Sequence, residues 1–308
     1  MTSDKIVIAH RGASGYLPEH TLPAYAMAYA LGADFLEPDL VATRDGVLIC
    51  CHDIHLDRTT DVAARYPDRA RADGRWYAAD FTLAEVRTLA AQERFDAAGD
   101  RVFESRFSAA AQGFAVPTLA ELLGLISALN RQSGRCVGVY PETKEPAFHD
   151  AHNLSLEPPL LALLADYGYV GREAPVFVQS FSATHLRLMR EQLGSELPMI
   201  QLIGDSPDEA DHITPAGLDA IAAYADGIGP DKQLIADSAG QLVVEAHRRG
   251  LCVHPYTFRA DQLGAGYTDL GTELSAYYYG YGVDGLFTDF CDIAVELVYP
   301  QQPRRLHR

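Results

Sequence analysis

Two charged pairs stand at two-residue spacing in this sequence, Glu37 with Asp39 and Glu142 with Lys144. On an extended chain alternate side chains share a face, so each pair projects to one side. Three carboxylates and an ammonium brought together are costly to bury unless a cation compensates, and an all-oxygen ligand set suits a hard divalent ion, Ca²⁺ or Mg²⁺. The alternative is that the acids pair with Arg11 and Lys144 as structural ion pairs. His10 and His52 follow short apolar runs and have the near-neutral titration that a general acid and a general base need, although either one alone would serve equally as a hydrogen-bonded structural residue. Arg11 and Lys144 have donors and no acceptors, which suits a phosphate oxygen, and Gly12 permits close backbone approach. No serine, cysteine or threonine accompanies the histidines in a way that suggests a protein nucleophile, so a hydroxyl of the substrate is a candidate for that role.

Such residues need a scaffold that brings strand ends together. Short β-branched runs (Lys5–Ala9, Phe35–Leu40, Cys136–Glu142, Val176–Ser180, Met199–Ile203, Gly227–Gly229, Leu251–Tyr256 and Gly285–Thr288) alternate with stretches that read as helices, including Leu22–Leu31, Leu119–Asn130, Pro158–Tyr167, Ala183–Leu193 and Pro215–Tyr224. About eight βα units predict an α/β fold, a closed (β/α)8 TIM barrel, with the polar cluster at the C-terminal strand ends. Phe181 and Tyr256, with Gln179, Gln201, His254 and Asp289, fall at or near later strand ends and are candidates to line a pocket. After a further run, Val47–His52, the rhythm lapses over 53–115, an insertion after the second strand within a single domain spanning 1–308. Its Arg58, Arg65, Arg69, Arg71 and Arg75 interleave with Asp57, Asp61, Asp68 and Asp73, the pattern of a salt-bridged excursion rather than an anion-binding patch.

The chain has 308 residues, 48% hydrophobic, and 25 Lys+Arg against 42 Asp+Glu, a net charge of −17. That charge argues against nucleic acid and against stable association with anionic membranes. The basic tail Arg304–Arg308 reads as a solvated terminus. Five cysteines form no C-x-x-C pair and read as buried free thiols. No secretory h-region is visible, which leaves the protein cytoplasmic as written and periplasmic if a leader has been removed.

The motifs His10-Arg11-Gly12, Pro18-Glu19-His20-Thr21, Glu37-Pro38-Asp39, His52-Asp53 and Pro141-Glu142-Thr143-Lys144 together resemble those of the glycerophosphodiester phosphodiesterase family. The stretches AHRGASGYLPEHTLPAYAMAYALGADFLEPDL, LDRTTDVAARYPDRARADGRWYAADFTL, YADGIGPD, HPYTFR and GLFTDF are similar to its bacterial GlpQ-type branch. The resemblance implies a (β/α)8 barrel that hydrolyses glycerophosphodiesters to glycerol 3-phosphate and an alcohol. It implies one divalent metal held by Glu37, Asp39 and Glu142, His10 and His52 as the acid/base pair, and Arg11 and Lys144 near the phosphate. Read from their positions, Phe181 and Tyr256 are candidates either to shape a glycerol pocket or to pack the mouth, Glu19 and His20 either to orient the first loop or to contact the phosphate region, with a helix-start role as the alternative for Glu19, and Asp53 either to orient His52 or to form a turn. Pro38, Cys51 and Cys291 depart from common family residues without removing a chemical group. Two other activities fit a related barrel, a lysophospholipase D-like phosphodiesterase and a non-catalytic glycerophosphodiester-binding protein.

Overall fold

The computed structural model describes residues 5–107 and 113–300; the basic C-terminal tail lies outside the described residues. Eleven strands are found among them: β1 (Ile6–His10), β2 (Phe35–Glu37), β3 (Asp39–Ala42), β4 (Leu48–Cys50), β5 (Gly138–Val139), β6 (Glu142–Thr143), β7 (Val178–Ser180), β8 (Met199–Ile203), β9 (Gly227–Pro230), β10 (Cys252–Val253) and β11 (Gly285–Thr288). They run in two ladders, β11-β1-β2-β5 and β10-β9-β8-β7-β6-β3-β4. Pro38 and Pro141 have no N–H to give, and each divides one barrel strand into two segments, β2/β3 and β5/β6. The ring closes between the seventh and eighth barrel strands, where Asp284 N donates to Val253 O (3.0 Å), Phe287 N to Pro255 O (3.0 Å) and Phe258 N to Phe287 O (2.9 Å). All barrel pairs are parallel, and the antiparallel hairpin β3–β4 leads into the insertion.

The first barrel helix, Leu22–Leu31, starts where Thr21 accepts from Ala24 N and stops at Gly32 in the left-handed region. Leu119–Ser133 opens with a full capping box, Thr118 with Glu121. The helices Pro146–Ala151 and Lys232–Asp237 have no counterpart in the sequence reading, because six residues are too few to display a helical period. The stretch Ala183–Leu193 is α-helical to Arg187 and then widens into a π turn over Leu188–Gln192.

Period-two alternation places the site. Ile8, Tyr140, Ile200 and Phe287 form a buried cluster inside the barrel, joined by Phe35 and Phe177, while Val7, Ala9, Leu36 and Val139 pack outward against the helices. Two residues beyond these inward apolar side chains come His10, Glu37, Glu142, Gln179 and Asp289, so the floor and the polar mouth are set by the same strand faces.

The insertion is more than a salt-bridged excursion. Leu56, Val62, Ala78, Phe81, Val86, Leu89 and Ala91 pack with Val41 and Ile49 of the hairpin into a second hydrophobic core. The expected surface pairing holds in part: Arg65 meets Asp61 and Arg75 meets Asp57, whereas Arg69 and Arg71 reach forward to Glu85 and Asp80. All five cysteines are free; Cys50, Cys51 and Cys291 are buried, Cys252 is partly buried, and Cys136, contrary to expectation for a buried thiol, is exposed. Among the described residues no helix is long and apolar enough to cross a membrane.

Candidate active site

Strand register brings the candidate residues to one level. His10 pairs with Glu37 across β1–β2, Asp39 with Glu142 across β3–β6, and Glu142 with Gln179 across β6–β7. Immediately after β1 the chain turns through Arg11 (φ 59°) and Gly12 (φ 85°). A Cβ at Gly12 would sit 2.8 Å from the Ala24 carbonyl carbon, so only glycine fits. The left-handed Arg11 is a strained position, costing roughly 1–3 kcal/mol. That turn aims its N–H at Glu37 Oε2 (2.8 Å) and its guanidinium at Glu19 Oε1 (3.1 Å).

Glu37, Asp39 and Glu142 each offer an oxygen within 4.8 Å of the others, and all three are buried. Lys144 Nζ donates to Glu142 Oε1 at 2.7 Å and stands 3.9 Å from Asp39 Oδ1; Arg11 Nε lies 3.1 Å from Asp39 Oδ2. Burial raises the Asp39 carboxyl, but Lys144 and Arg11 outweigh it and hold Asp39 well below the usual range. Burial together with the Asp39 charge pushes Glu37 well up, and burial takes Glu142 to about 8 against the pull of Lys144. Asp39 Oδ1 is buried with no hydrogen-bond donor. A buried acceptor without a donor, beside two further buried carboxylates, is what a cation would satisfy, and a hard metal fits this all-oxygen set. Behind it, the His20 ring spans Asp39 Oδ2 (2.9 Å from Nε2) and the Tyr25 hydroxyl (2.7 Å from Nδ1), fixing the Asp39 carboxylate.

The two histidines share a cavity with this cluster and are supported alike. His10 Nδ1 lies 2.6 Å from Asp289 Oδ1, and Asp289 Oδ2 accepts from Arg106 Nη2 (2.7 Å) and Arg259 Nε (2.9 Å). His52 Nδ1 lies 2.7 Å from Asp53 Oδ1, and Asp53 Oδ2 accepts from Arg94 Nη1 (2.8 Å). With Nδ1 engaged, Nε2 is the nitrogen left to exchange protons. Burial, aided by Arg11, lowers His10 to about 4 despite Asp289, and burial with Arg11 and Lys144 lowers His52 although its side chain is 30% exposed. Both rings are therefore neutral at pH 7 in the ligand-free site.

His10, Arg11, Glu37, His52, Glu142, Lys144, Phe181 and Tyr256 all line one cavity of about 490 Å³, and Asp39 lies just behind its wall. Phe181 and Tyr256 meet edge to face, ring centroids 6.0 Å apart, and the Phe181 ring lies 5.6 Å from Lys144 Nζ. Three of the further residues expected at the pocket have other places. Gln201 is buried and holds backbone carbonyls and the Tyr224 hydroxyl; His254 sits beneath the mouth with Nδ1 2.8 Å from the Tyr140 hydroxyl; Asp289 holds His10. Glu19 ties Arg11 to Arg94, and Asp53 holds His52 as expected. Lys232 and Arg259 in the cavity wall, and Arg94 and Arg106 behind the histidines, were not expected from the sequence. For Lys232 and Arg259 the signal was available, since they stand just past the strand-end runs Gly229-Pro230-Asp231 and His254-Pro255-Tyr256.

Comparison with known proteins decides the family. The glycerophosphoryl diester phosphodiesterase family model matches residues 10–293. The chain belongs to this family. It is 36% identical to glycerophosphodiester phosphodiesterase of Haemophilus influenzae, over 97% of this chain and 91% of that protein. It is 32% identical to the protein of the same name from Treponema pallidum, over 96% and 92%. A crystal structure from Silicibacter pomeroyi bearing the family's name superposes with a TM-score of 0.77 at 27% identity, covering 97% of this chain and 95% of that one. An Oleispira antarctica phosphodiesterase, solved in complex with the product sn-glycerol-3-phosphate, shares the fold with a TM-score of 0.68 at 20% identity, covering 96% and 97%. The chain is thus a phosphodiester hydrolase built on the family's barrel, and the eight-unit expectation holds.

Proposed function

We propose that this enzyme hydrolyses glycerophosphodiesters such as glycerophosphocholine or glycerophosphoethanolamine to sn-glycerol 3-phosphate and the free alcohol, using His10 and His52 for proton transfer. The observation that carries the reading is the pair of carboxylate-backed imidazoles in one cavity with the Glu37–Asp39–Glu142 cluster. Those three acids would hold a divalent cation, Ca²⁺ or Mg²⁺, which when bound offsets phosphate charge and acidifies a nearby hydroxyl. Arg11 and Lys144 bind the phosphodiester's non-bridging oxygens, and Phe181 and Tyr256 form an apolar wall beside the glycerol carbons. Arg94 and Arg106 of the insertion reach the site, and the barrel and insertion act as one domain.

The tethered hydroxyl next to the phosphorylated carbon attacks phosphorus, gaining the high effective concentration of an intramolecular reactant. One neutral imidazole takes that hydroxyl's proton at Nε2. The other, whose proton affinity rises when the anionic phosphodiester binds beside it, gives a proton to the departing alcohol oxygen as the P–O bond breaks. A cyclic 1,2-phosphate results. Water then opens the ring with the two imidazoles in exchanged roles, leaving sn-glycerol 3-phosphate and restoring both protonation states.

The test uses glycerophosphocholine and its analogue lacking the neighbouring hydroxyl. Turnover of the parent with no detectable turnover of the analogue is expected; comparable rates would mean that water attacks phosphorus directly. Chelator-stripped protein is expected to be inactive and to recover with Ca²⁺ or Mg²⁺, and full activity after stripping would reject the metal assignment.

A further inference from the structure

A second ligand set lies outside the barrel mouth. Asp150 closes the short helix after β6, Glu157 opens the next helix, and His185 stands in the helix after β7; each offers one donor atom within 4.8 Å of the other two. His185 Nε2 is 3.1 Å from Asp150 Oδ2, while its Nδ1 is 2.7 Å from the Ser182 hydroxyl, which fixes the ring and turns Nε2 toward the two acids. Asp150 Oδ1 is held in turn by the Ser155 hydroxyl.

Glu157 is the telling member. It is 0% exposed, and neither carboxylate oxygen has a hydrogen-bond partner of good geometry. A buried, unpartnered carboxylate is among the costliest arrangements a fold can hold. The backbone N–H groups of Leu156 and Glu157 lie beside it at the helix start, which favours its negative charge, yet burial pushes its carboxyl up. Either a proton or a cation must lie between His185 Nε2 and Asp150. A proton there satisfies that pair and leaves Glu157 with only the poorly aligned backbone N–H groups at the helix start; a cation satisfies all three.

We propose that Asp150, Glu157 and His185 form a second metal site, selective for a borderline divalent ion of the zinc class. One imidazole and two carboxylates with an open position for water suit Zn²⁺, whereas the all-oxygen cluster at the mouth suits Ca²⁺ or Mg²⁺. Four-coordinate Zn²⁺ binds nitrogen and oxygen at roughly 2.0–2.2 Å and so spaces its donors roughly 3.4 Å apart, close to the separation seen between His185 and Asp150. The half-exposed Asp150 gives the ion a way in from solvent. The site ties together the loops that carry Lys144 and Phe181 into the cavity, so the ion would brace that wall without touching substrate.

The test titrates chelator-stripped full-length protein, held in millimolar Ca²⁺ or Mg²⁺, with Zn²⁺ against a chromophoric chelator. The expected result is one tightly bound Zn²⁺ in the wild type and in Glu37→Gln, and affinity reduced about 100-fold or more in Glu157→Gln and His185→Gln, since each removes a direct ligand. Zn²⁺ is expected to raise Tm in the wild type and not in His185→Gln. Equal Zn²⁺ affinity in wild type, Glu157→Gln and His185→Gln overturns the site, as does a Glu37→Gln protein that binds no Zn²⁺. If Glu157→Gln fails to fold, Asp150→Asn at the exposed corner takes its place, with the same two outcomes.

Discussion

The barrel mouth and the insertion manage charge in opposite ways. In the insertion, Arg65, Arg69, Arg71 and Arg75 each meet an acid of their own at 2.7–2.9 Å near solvent, over a separate apolar core. Such pairs contribute at most about 1 kcal/mol each. At the mouth, three buried carboxylates crowd together around Lys144 and Arg11, out of reach of the solvent that screens the insertion's pairs. Two arginines of the insertion depart from its rule. Arg94 and Arg106 have side chains only 11% and 4% exposed, and they run inward to Asp53 and Asp289, the carboxylates behind His52 and His10. On the proposed mechanism the barrel supplies the reacting groups, and the insertion's two arginines hold the carboxylates behind both imidazoles.

The largest effect should come from the barrel side. His10→Ala and His52→Ala are each expected to lower kcat on glycerophosphocholine by about 10²–10⁴-fold with Tm little changed, because each removes a proton-transfer group. A fall of less than tenfold in either variant would take that histidine out of the chemistry and leave it a structural residue of the mouth.

Next come the insertion's two arginines, which act through carboxylates. Arg106→Ala and Arg94→Ala should lower kcat by about 10–100-fold, the usual cost of losing a group that orients a reacting one, with a smaller change in KM. A pH profile separates positioning from mere support. Asp289 raises the proton affinity of His10, while Arg106 and Arg259 neutralise that carboxylate; without Arg106 the imidazole holds its proton to higher pH. The limb of the kcat/KM profile that His10 sets should therefore move to higher pH in Arg106→Ala and return part-way in Arg106→Lys. Arg65→Ala, which breaks only a surface pair, should leave kcat and the profile unchanged and stability within about 0.5 kcal/mol. An equal loss in Arg65→Ala and Arg106→Ala would erase the distinction between the two kinds of arginine.

This division also explains what could be read from the sequence. Glu37, Asp39, Glu142, Lys144, His10 and His52 were legible because a strand face repeats every two residues and barrel chemistry gathers at strand ends, so local spacing is enough. Asp289 stands 279 residues from His10, and its place behind the ring depends on β11 closing on β1, which no local pattern contains. Arg94 and Arg106 sit among charged neighbours indistinguishable from the surface-paired ones; burial separates them, and burial there comes from tertiary contact. The insertion's core was equally hidden, since Val62, Phe81 and Val86 lie in or beside elements of three or four residues, shorter than one helical repeat. The pair Asp150 and His185 is brought together across two βα units and is invisible for the same reason as Asp289.

The smallest expected effect concerns acid stability, and it tests whether the barrel alone carries the cost of burying neutral imidazoles. His254 lies below the mouth, 2% exposed, and burial lowers it to about 4. Its counterpart in the insertion, His55, lies against Tyr77 with ring centroids 4.3 Å apart and is lowered by a milder burial. A histidine in the unfolded chain takes up its proton below about 6.5. Folded His254 takes one up only near pH 4, so between these values the unfolded state binds more protons and stability falls as pH falls. From about pH 6.5 to 4.5 this one group should remove about 1–3 kcal/mol, read as a fall in the urea midpoint. His254→Gln retains a polar partner for the Tyr140 hydroxyl; it is expected to be less stable than wild type at pH 7 but to lose less on acidification, whereas His55→Gln, whose ring is lowered by the milder burial, should flatten the slope by less. If His55→Gln flattened the curve as much as His254→Gln, the acid-sensitive burial would belong to the insertion as well, and the contrast between a barrel that buries neutral imidazoles and an insertion that keeps its charges near water would fail.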